Sequence, residues 1–282
     1  MSVATYPIDK VRAAFPALER EVHGRPVAYL DSGASAQRVL ASIQAVDRYE
    51  RRHHANVHRG AHTLSAEATA AYEGARATVA DHIGATDRRE VVFVRNATEA
   101  INLVARAWGA ANLGLGDRLV LTEMEHHSNI VPWQQLAERA GAEIDWVPVT
   151  DEGLLALDEL ARLLAKGPKL VAVTHVSNVL GTANPLPEIA RMAHDAGALV
   201  LVDGAQAAPK LARAVAATPS RSISGWAQWW PARTATPWRS RISDTSWACT
   251  PSSSKETGPT RSDPGDGPKT RRPGTSATRA SV

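Results

Sequence analysis

Asp203 ends a run of apolar residues, and Gln206 follows it three positions later. The apolar run, residues 198–202, predicts a fully buried strand. Ligands of open α/β sheets bind just beyond the carboxyl ends of such strands. There the Asp203 carboxylate could face a cationic ring nitrogen, while the Gln206 amide could donate to a ring oxygen. An aspartate in this position is typical of pyridinium cofactors, because it keeps the ring nitrogen protonated and the ring electron-withdrawing.

Three more polar side chains follow predicted strands. Thr98 comes after the predicted strand 91–94 and opens a helix, where it is either a phosphate ligand or an ordinary capping residue. His126 either stacks on a planar cofactor and carries protons or is a solvated loop histidine. Asn178 has two possible roles. Its amide contacts a ring oxygen or a substrate carboxylate, or the residue simply forms a turn. Glu125 precedes His126, but Glu-His-His is not an established zinc-binding pattern.

These side chains are expected at one edge of a single sheet. Strands and helices alternate from about residue 91 to residue 202, which predicts a mostly parallel sheet covered by helices. The carboxyl ends of parallel strands lie at the same edge, so the residues that follow them should converge. A phosphate anchor, a stacking imidazole and a carboxylate for a ring nitrogen together predict a site for pyridoxal 5'-phosphate. The five residues of this predicted site are Thr98, His126, Asn178, Asp203 and Gln206.

A histidine repeat precedes the predicted sheet. His54, His58 and His62 recur every four residues and would share one face of a continuous helix, as in a transition-metal site. Gly60 interrupts that helix, so we predict no metal site. We expect instead a loop at the edge of the site, in which His58 and Arg59 point toward an anionic ligand.

Charge divides the chain into two parts. Residues 1–212 hold 21 Lys+Arg and 25 Asp+Glu, whereas residues 213–282 hold 11 and 4. The excess of basic residues therefore belongs to the tail, and it does not predict nucleic-acid binding for the first part. No apolar run has the length of a membrane span, and the N-terminus does not resemble a secretory signal, so a cytoplasmic location is expected. The single cysteine, Cys249, excludes an internal disulfide.

The predicted organisation has three parts. Residues 1–30 form an N-terminal arm, and residues 31–212 form a partial cofactor-binding domain. Residues 213–282 are rich in Ser, Thr, Pro, Arg and Trp and contain no Leu, Phe or Tyr. This composition predicts disorder, because it offers little aliphatic surface to bury. The tail also resembles GC-rich coding DNA translated out of frame.

Six motifs in order resemble those of the cysteine desulfurases, within the class V aminotransferase family. The resemblance is greatest to the Suf-type enzymes and their selenocysteine lyase relatives, and it covers about residues 5–212. The motifs occupy residues 29–37, 57–65, 93–102, 124–133, 174–182 and 202–206. The resemblance implies an α/β fold of the type I PLP-dependent transferase class, similar to aspartate aminotransferase. Such a fold has a mainly parallel, seven-stranded sheet covered by helices and forms a homodimer; here the large domain would be incomplete.

The resemblance also implies roles for the site residues. Thr98 would hold the cofactor phosphate, and His126 would stack on the ring as the catalytic side chain. Asn178 would lie near the ring oxygen and substrate, Asp203 would pair with the ring nitrogen, and Gln206 would contact the ring hydroxyl. The family converts L-cysteine to L-alanine and leaves the sulfur as a persulfide on a cysteine. An acceptor protein then takes the sulfur for iron–sulfur cluster assembly.

The chain departs from the family pattern after residue 212. The family's Schiff-base lysine follows the position of Asp203 by about two dozen residues, in a Ser-Gly-His-Lys motif. This chain has Ser224-Gly225-Trp226 there, and residues 211–254 contain no lysine. The surroundings of Cys249 do not match the persulfide motif, so neither catalytic group is found and impaired activity is expected. The alternatives are another class V enzyme (a selenocysteine lyase or an aminotransferase) and a catalytically inactive binding module.

Overall fold

The strands of the protein form a short hairpin and a five-stranded sheet. The structure is a computed structural model that describes residues 6–85, 87–211 and 228–230. The strands are β1 (Glu21–Val22), β2 (Arg25–Pro26), β3 (Arg118–Thr122), β4 (Glu143–Val147), β5 (Leu170–Thr174), β6 (Leu199–Asp203) and β7 (Gln228–Trp230). In the larger sheet the order is β4-β3-β5-β6-β7. Strands β3 to β6 pair in parallel, whereas β7 is antiparallel to β6. The carboxyl ends of β3, β5 and β6 therefore share one edge.

Helices connect and cover these strands. They are α1 (Ile8–Arg12), α2 (Leu40–Arg52), α3 (Thr63–Ile83), α4 (Ala97–Val104), α5 (Ala110–Asn112), α6 (Val131–Ala140), α7 (Leu157–Leu164) and α8 (Leu186–Asp195). Short 3-10 helices span Pro16–Glu19, Arg88–Glu90 and His127–Asn129, and a π-helical turn spans Ala105–Gly109. Within the described ranges, no helix combines the length and apolar character needed to cross a membrane.

The core has two layers, one on each face of the sheet. Successive side chains of a strand point to opposite faces, so Val120 of β3 packs in one layer while Leu119 and Leu121 pack in the other. The first layer meets buried residues of α7 and α8, and the second meets those of α4 and α6. Because both faces are covered, the central strands are apolar without interruption, as in other parallel sheets.

Ion pairs line the outer strand β4. Asp145 accepts from Arg118 at 2.7 Å and from Lys166 at 2.8 Å, and Glu143 also pairs with Arg118. Burial raises the pKa of the Asp145 carboxyl, but the hydrogen bonds from Lys166 and Arg118 outweigh it and leave the pKa below its ordinary value. Charged side chains therefore occupy this border of the sheet.

The predicted alternation of strands and helices is confirmed from β3 to β6. Residues 91–94, predicted to be a strand, do not form one and pair with none of the described strands. Val92 and Phe93 in this segment are 63% and 41% exposed. A strand needs a neighbouring strand to satisfy its backbone groups, and none of the described strands pairs with this segment. The resemblance implied a seven-stranded sheet, whereas the larger sheet of the described residues has five strands.

The proposed domain boundaries at residues 30 and 212 stay predictions. The arm contains α1, a 3-10 helix and the β1–β2 hairpin, which Arg12 joins by donating to the carbonyls of Leu18 and Val27 at 2.8 and 2.9 Å. Most of the tail predicted for residues 213–282 lies outside the described residues. Its described part, Gln228–Trp230, forms β7 and pairs with Val200, Leu201 and Val202 of β6.

Truncation of a core side chain in β6 should lower stability strongly. Leu201 is 0% exposed, so Leu201→Ala removes buried methyl groups and should lower the free energy of unfolding by about 2–5 kcal/mol. Leu115, which is 91% exposed, offers the matched control: Leu115→Ala should change it by less than about 0.5 kcal/mol. Urea unfolding followed by circular dichroism measures both, and equal losses would contradict the assignment of this core.

Candidate functional site

Asp203 lies at the carboxyl end of β6 and is 4% exposed. Its Oδ1 accepts the backbone N–H of Ala205 at 2.9 Å, and no other described residue donates to its side chain. Burial raises the pKa of the carboxyl, while the Ala205 N–H and the nearby His126 act in the opposite direction. Asp203 thus presents a buried carboxyl with one oxygen that can accept from a cationic donor.

His126 caps the 3-10 helix that follows β3. Its Nδ1 accepts the backbone N–H of Ser128 at 3.1 Å and lies 2.8 Å from the Ser128 hydroxyl oxygen. Because Nδ1 accepts a hydrogen bond, the neutral ring carries its proton on Nε2. The cap therefore fixes both the orientation and the tautomer of the imidazole, and His126 as a residue is exposed.

A buried carboxyl directly precedes His126 in the chain. Oε1 of Glu125 accepts the Thr122 hydroxyl at 2.6 Å and the backbone N–H of Thr174 at 2.7 Å. Its Oε2 accepts the Asn129 amide at 2.7 Å, and the Asn129 oxygen accepts the indole N–H of Trp133 at 3.0 Å. The pKa of Glu125 is raised to about 8, chiefly because the carboxyl is buried; the charge of Asp203 adds to the rise, and the three donors oppose it.

The sequence analysis did not predict that Glu125 is buried and accepts three hydrogen bonds. It considered the Glu-His-His pattern as a metal site and rejected it. The described residues contain no group of three His, Cys, Asp or Glu side chains suited to a metal ion. The local sequence, Glu123-Met124-Glu125-His126-His127, contains two glutamates and holds no signal that Glu125 is buried while Glu123 is exposed.

Thr98 is the second residue of α4, which packs beside the 3-10 helix that His126 caps. Asn96 begins α4 by accepting the N–H of Glu99 at 2.9 Å, and the Glu99 carboxylate accepts the N–H of Arg95 at 2.7 Å. The N–H groups of Ala97 and Thr98 donate to no described acceptor. Thr98 is exposed, so this helix start offers a hydroxyl and free N–H groups to an anion.

Asn178 and Gln206 also lie at the carboxyl edge, with different surroundings. Asn178 is exposed in the turn that follows β5, and no described residue hydrogen-bonds to its amide. The Gln206 amide donates to the carbonyl of Gly33 at 2.6 Å, and its oxygen accepts the Lys210 ammonium. In this conformation Gln206 connects the segment around Gly33 to the edge of the sheet, so its predicted contact with a ring hydroxyl requires these bonds to exchange.

His58 and Arg59 lie in the loop between α2 and α3. The His58 N–H donates to Thr69 Oγ1 at 2.9 Å, and its Nε2 lies 2.9 Å from a Glu73 carboxylate oxygen. His58 has a φ of +67°, in the left-handed region that is uncommon for residues other than glycine. The anionic group that His58 contacts is therefore the side chain of Glu73, which belongs to α3. Arg59 is exposed, and the structure places neither residue in hydrogen-bond contact with Asp203 or His126.

The arrangement at the sheet edge fits a phosphorylated pyridine. A buried carboxyl with an available oxygen suits a ring N–H⁺, and burial strengthens such a contact. The oriented His126 ring offers a planar surface nearby, and the start of α4 offers anion-binding N–H groups. The chemistry these residues can perform is therefore to bind such a ring, keep its nitrogen protonated and fix its orientation.

Residues 28–220 match the model of the family described as aminotransferase class-V. The chain belongs to this family. It is similar to the cysteine desulfurases of Salmonella gallinarum and of an Enterobacter species, with 54% and 55% identity over 203 residues. That stretch is 72% of this chain and 50% of each relative. The class V chain therefore spans about half the length of the curated relatives it matches.

Solved structures of the family place the fold in the type I PLP-dependent class, as predicted. The apo cysteine desulfurase from Thermococcus onnurineus is 39% identical with a TM-score of 0.68, over 76% of this chain and 51% of that one. The cysteine desulfurase CsdA from Escherichia coli is 30% identical with a TM-score of 0.67, over 81% and 58%. The predictions of family membership and fold class are thus confirmed, whereas the residue roles stay predictions.

Removal of the α4 cap should destabilise the helix that carries Thr98. Asn96→Ala deletes the oxygen that accepts the Glu99 N–H and should lower the free energy of unfolding by about 1 kcal/mol. Asn96→Asp keeps an acceptor and favours the helix dipole, so its loss should be below about 0.5 kcal/mol. Thermal unfolding monitored by circular dichroism separates the two variants. The same loss in both would contradict the capping role.

Stability should fall as the pH rises through the range in which Glu125 loses its proton. The folded-state pKa of about 8 exceeds the ordinary value of 4.5, so the folded chain keeps a proton that the unfolded chain releases. This stabilisation is complete below about pH 4.5, decreases by up to about 1.4 kcal/mol per pH unit, and is lost above about pH 8. Glu125→Gln cannot ionise and should flatten the decrease.

Urea unfolding at a series of pH values measures this effect. The raised pKa of Asp203 acts in the same direction over its own range, so Asp203→Asn is measured in parallel to subtract that contribution. An unchanged slope in Glu125→Gln near neutral pH would show that this carboxyl is already ionised in the folded protein.

Proposed function

We propose that this chain binds pyridoxal 5'-phosphate at the carboxyl edge of its sheet and represents the cofactor-holding part of a cysteine desulfurase. The observation that carries the proposal is the buried Asp203 carboxyl, which has an available oxygen and lies near the oriented ring of His126. The similarity to proteins named cysteine desulfurases supports the substrate class, L-cysteine.

Each side chain has a separate task in the proposed site. Asp203 holds a proton on the ring nitrogen, and the low-dielectric surroundings strengthen that contact. The Thr98 hydroxyl and the first N–H groups of α4 bind the phosphate. His126 covers the ring, and Asn178 lies near the ring oxygen and the substrate. When bound, the cofactor supplies an electron sink for bonds broken at the substrate α-carbon.

The reaction proposed from the family is conversion of L-cysteine to L-alanine, with sulfur transfer through a persulfide to an acceptor protein for iron–sulfur cluster assembly. A homodimer and a cytoplasmic location belong to the same proposal. We propose no nucleic-acid partner, since the first 212 residues carry a small excess of acidic groups.

A missing amine limits the activity that we propose for this chain. Residues 211–254 contain no lysine, so the position expected for the Schiff-base lysine has no amine. We infer that the cofactor is held without a covalent bond at that position and that turnover of L-cysteine is slow or absent. This sequence feature favours an inactive binding module as the second candidate function.

Cofactor titration tests the binding proposal. Pyridoxal 5'-phosphate is added to the chain, and its visible absorption and the quenching of tryptophan fluorescence are followed. Asp203→Asn removes a charge-assisted contact, so the affinity should fall by about 10- to 100-fold. Asp195→Asn, at an exposed aspartate that pairs with Arg191, is the matched control and should bind as the parent does. Equal affinity in the parent and Asp203→Asn would overturn the proposed role of Asp203.

Borohydride treatment and a sulfide assay test the activity. Borohydride reduces a lysine Schiff base to a stable adduct that stays on the protein. Because we expect no such Schiff base, the loaded chain should release the reduced cofactor after denaturation, with no mass increase at any lysine. Incubation with L-cysteine should produce sulfide at the rate of free cofactor alone. A trapped lysine together with faster sulfide release would show that another amine replaces the missing one and that the chain is an active enzyme.

A further inference from the structure

Glu125 joins three elements that surround the proposed site. Thr122 donates to it from the end of β3, Thr174 from the end of β5, and Asn129 from the 3-10 helix. The carboxyl is buried, and all three donors lie between 2.6 and 2.7 Å from its oxygens. Hydrogen bonds are stronger in the low-dielectric interior than in water, and breaking one of these would leave a buried polar group unpaired, so the three elements are held in fixed relation.

The same network connects to both residues that face the proposed cofactor. His126 follows Glu125 directly and caps the 3-10 helix that contains Asn129. On the other side, Thr174 pairs in register with Asp203, and the N–H of His175 donates to the Asp203 carbonyl at 2.9 Å. A shift of the Glu125 carboxyl would therefore move His126 and the β5–β6 ladder relative to each other.

We propose that Glu125 is a positioning residue of the class V site, which fixes the imidazole of His126 relative to the carboxyl of Asp203. This inference deepens the proposed function and rests on it, because the two positioned groups are the ones proposed to hold pyridoxal 5'-phosphate. Glu125 acts through its neighbours: its described partners are a hydroxyl, a backbone N–H and an amide of the protein.

The network distinguishes a carboxyl from an amide at position 125, because a carboxyl oxygen can still accept a hydrogen bond when it carries a proton, whereas an amide NH₂ group cannot accept one. In Glu125→Gln, the new NH₂ group would face either the Asn129 amide nitrogen or the Thr174 N–H, both of which are donors. Asn129 cannot rotate to help, because its oxygen already accepts the indole N–H of Trp133. One donor pair therefore stays opposed in either orientation of the glutamine.

Exchange of the acid and the amide should restore the network. In the double variant Glu125→Gln, Asn129→Asp, the glutamine oxygen accepts from Thr122 and Thr174, and its NH₂ donates to the new aspartate. The second aspartate oxygen accepts from Trp133. The number of buried carboxyls remains one, whereas Asn129→Asp alone places two carboxyls in contact and should be defective.

Two measurements test the proposal in the full chain. The first is the affinity for pyridoxal 5'-phosphate, with the circular dichroism of its visible band as a report on ring orientation. The second needs no cofactor: NMR of ¹⁵N-labelled histidine reports the tautomer of His126, assigned with His126→Gln. Glu123→Gln, at an exposed glutamate two positions earlier, is the control and should match the parent in both.

We expect Glu125→Gln to bind the cofactor about tenfold more weakly, to lose the visible dichroism, and to show mixed His126 tautomers. The double variant should recover all three signals. An unchanged affinity and an unchanged His126 spectrum in Glu125→Gln, with only a lower unfolding midpoint, would overturn the proposal and leave Glu125 a purely structural group.

The two proposals fail separately. If the parent chain binds no pyridoxal 5'-phosphate, the proposed function is wrong. The His126 tautomer alone then decides whether Glu125 positions the imidazole of His126. A parent that binds the cofactor, combined with a double variant that stays defective in all three signals, would overturn the positioning role while the proposed function stands.

Discussion

The parallel register of β5 and β6 pairs Thr174 with Asp203, and the candidate site depends on that pairing. It brings the ends of two strands to the same height, so that a carboxyl on β6 lies beside the backbone group that binds Glu125. A slip of one residue would move every side chain of β6 to the opposite face and take Asp203 away from the edge. Close packing on both faces opposes such a slip, because Val200 and Leu201 differ in size and each fills a position in a different layer. The packing of the core thus determines the geometry of a polar site at its border.

The amino-acid pattern predicted those parts of the molecule that depend on local periodicity. Strands β3, β5 and β6 are short apolar runs between helices, and their carboxyl ends follow from parallel topology alone. Asp203 and His126 were therefore placed at a common edge without knowledge of their contacts. The helix that Thr98 was predicted to open is present as α4, and it continues as a π-helical turn.

Contacts between distant residues were not predictable in this way. Glu125 accepts from Thr174, 49 positions away, and Gln206 donates to Gly33, 173 positions away. The sequence around Glu125 or Gln206 contains no pattern that indicates the distant residue with which each forms a hydrogen bond. Residues 91–94 have the composition of a strand, but whether they pair depends on a neighbour that local sequence does not reveal. His58 likewise has a left-handed backbone that its residue type does not predict.

The two borders of the sheet have consequences for self-association. An unpaired strand edge is a template on which a second chain can add its own strand. At one border the three-residue strand β7 is the edge strand, and it pairs with β6. At the other, β4 carries Glu143 and Asp145, which the side chains of Arg118 and Lys166 hold in place. An incoming strand would have to desolvate these ion pairs, so stacking of molecules through this border into fibres is disfavoured.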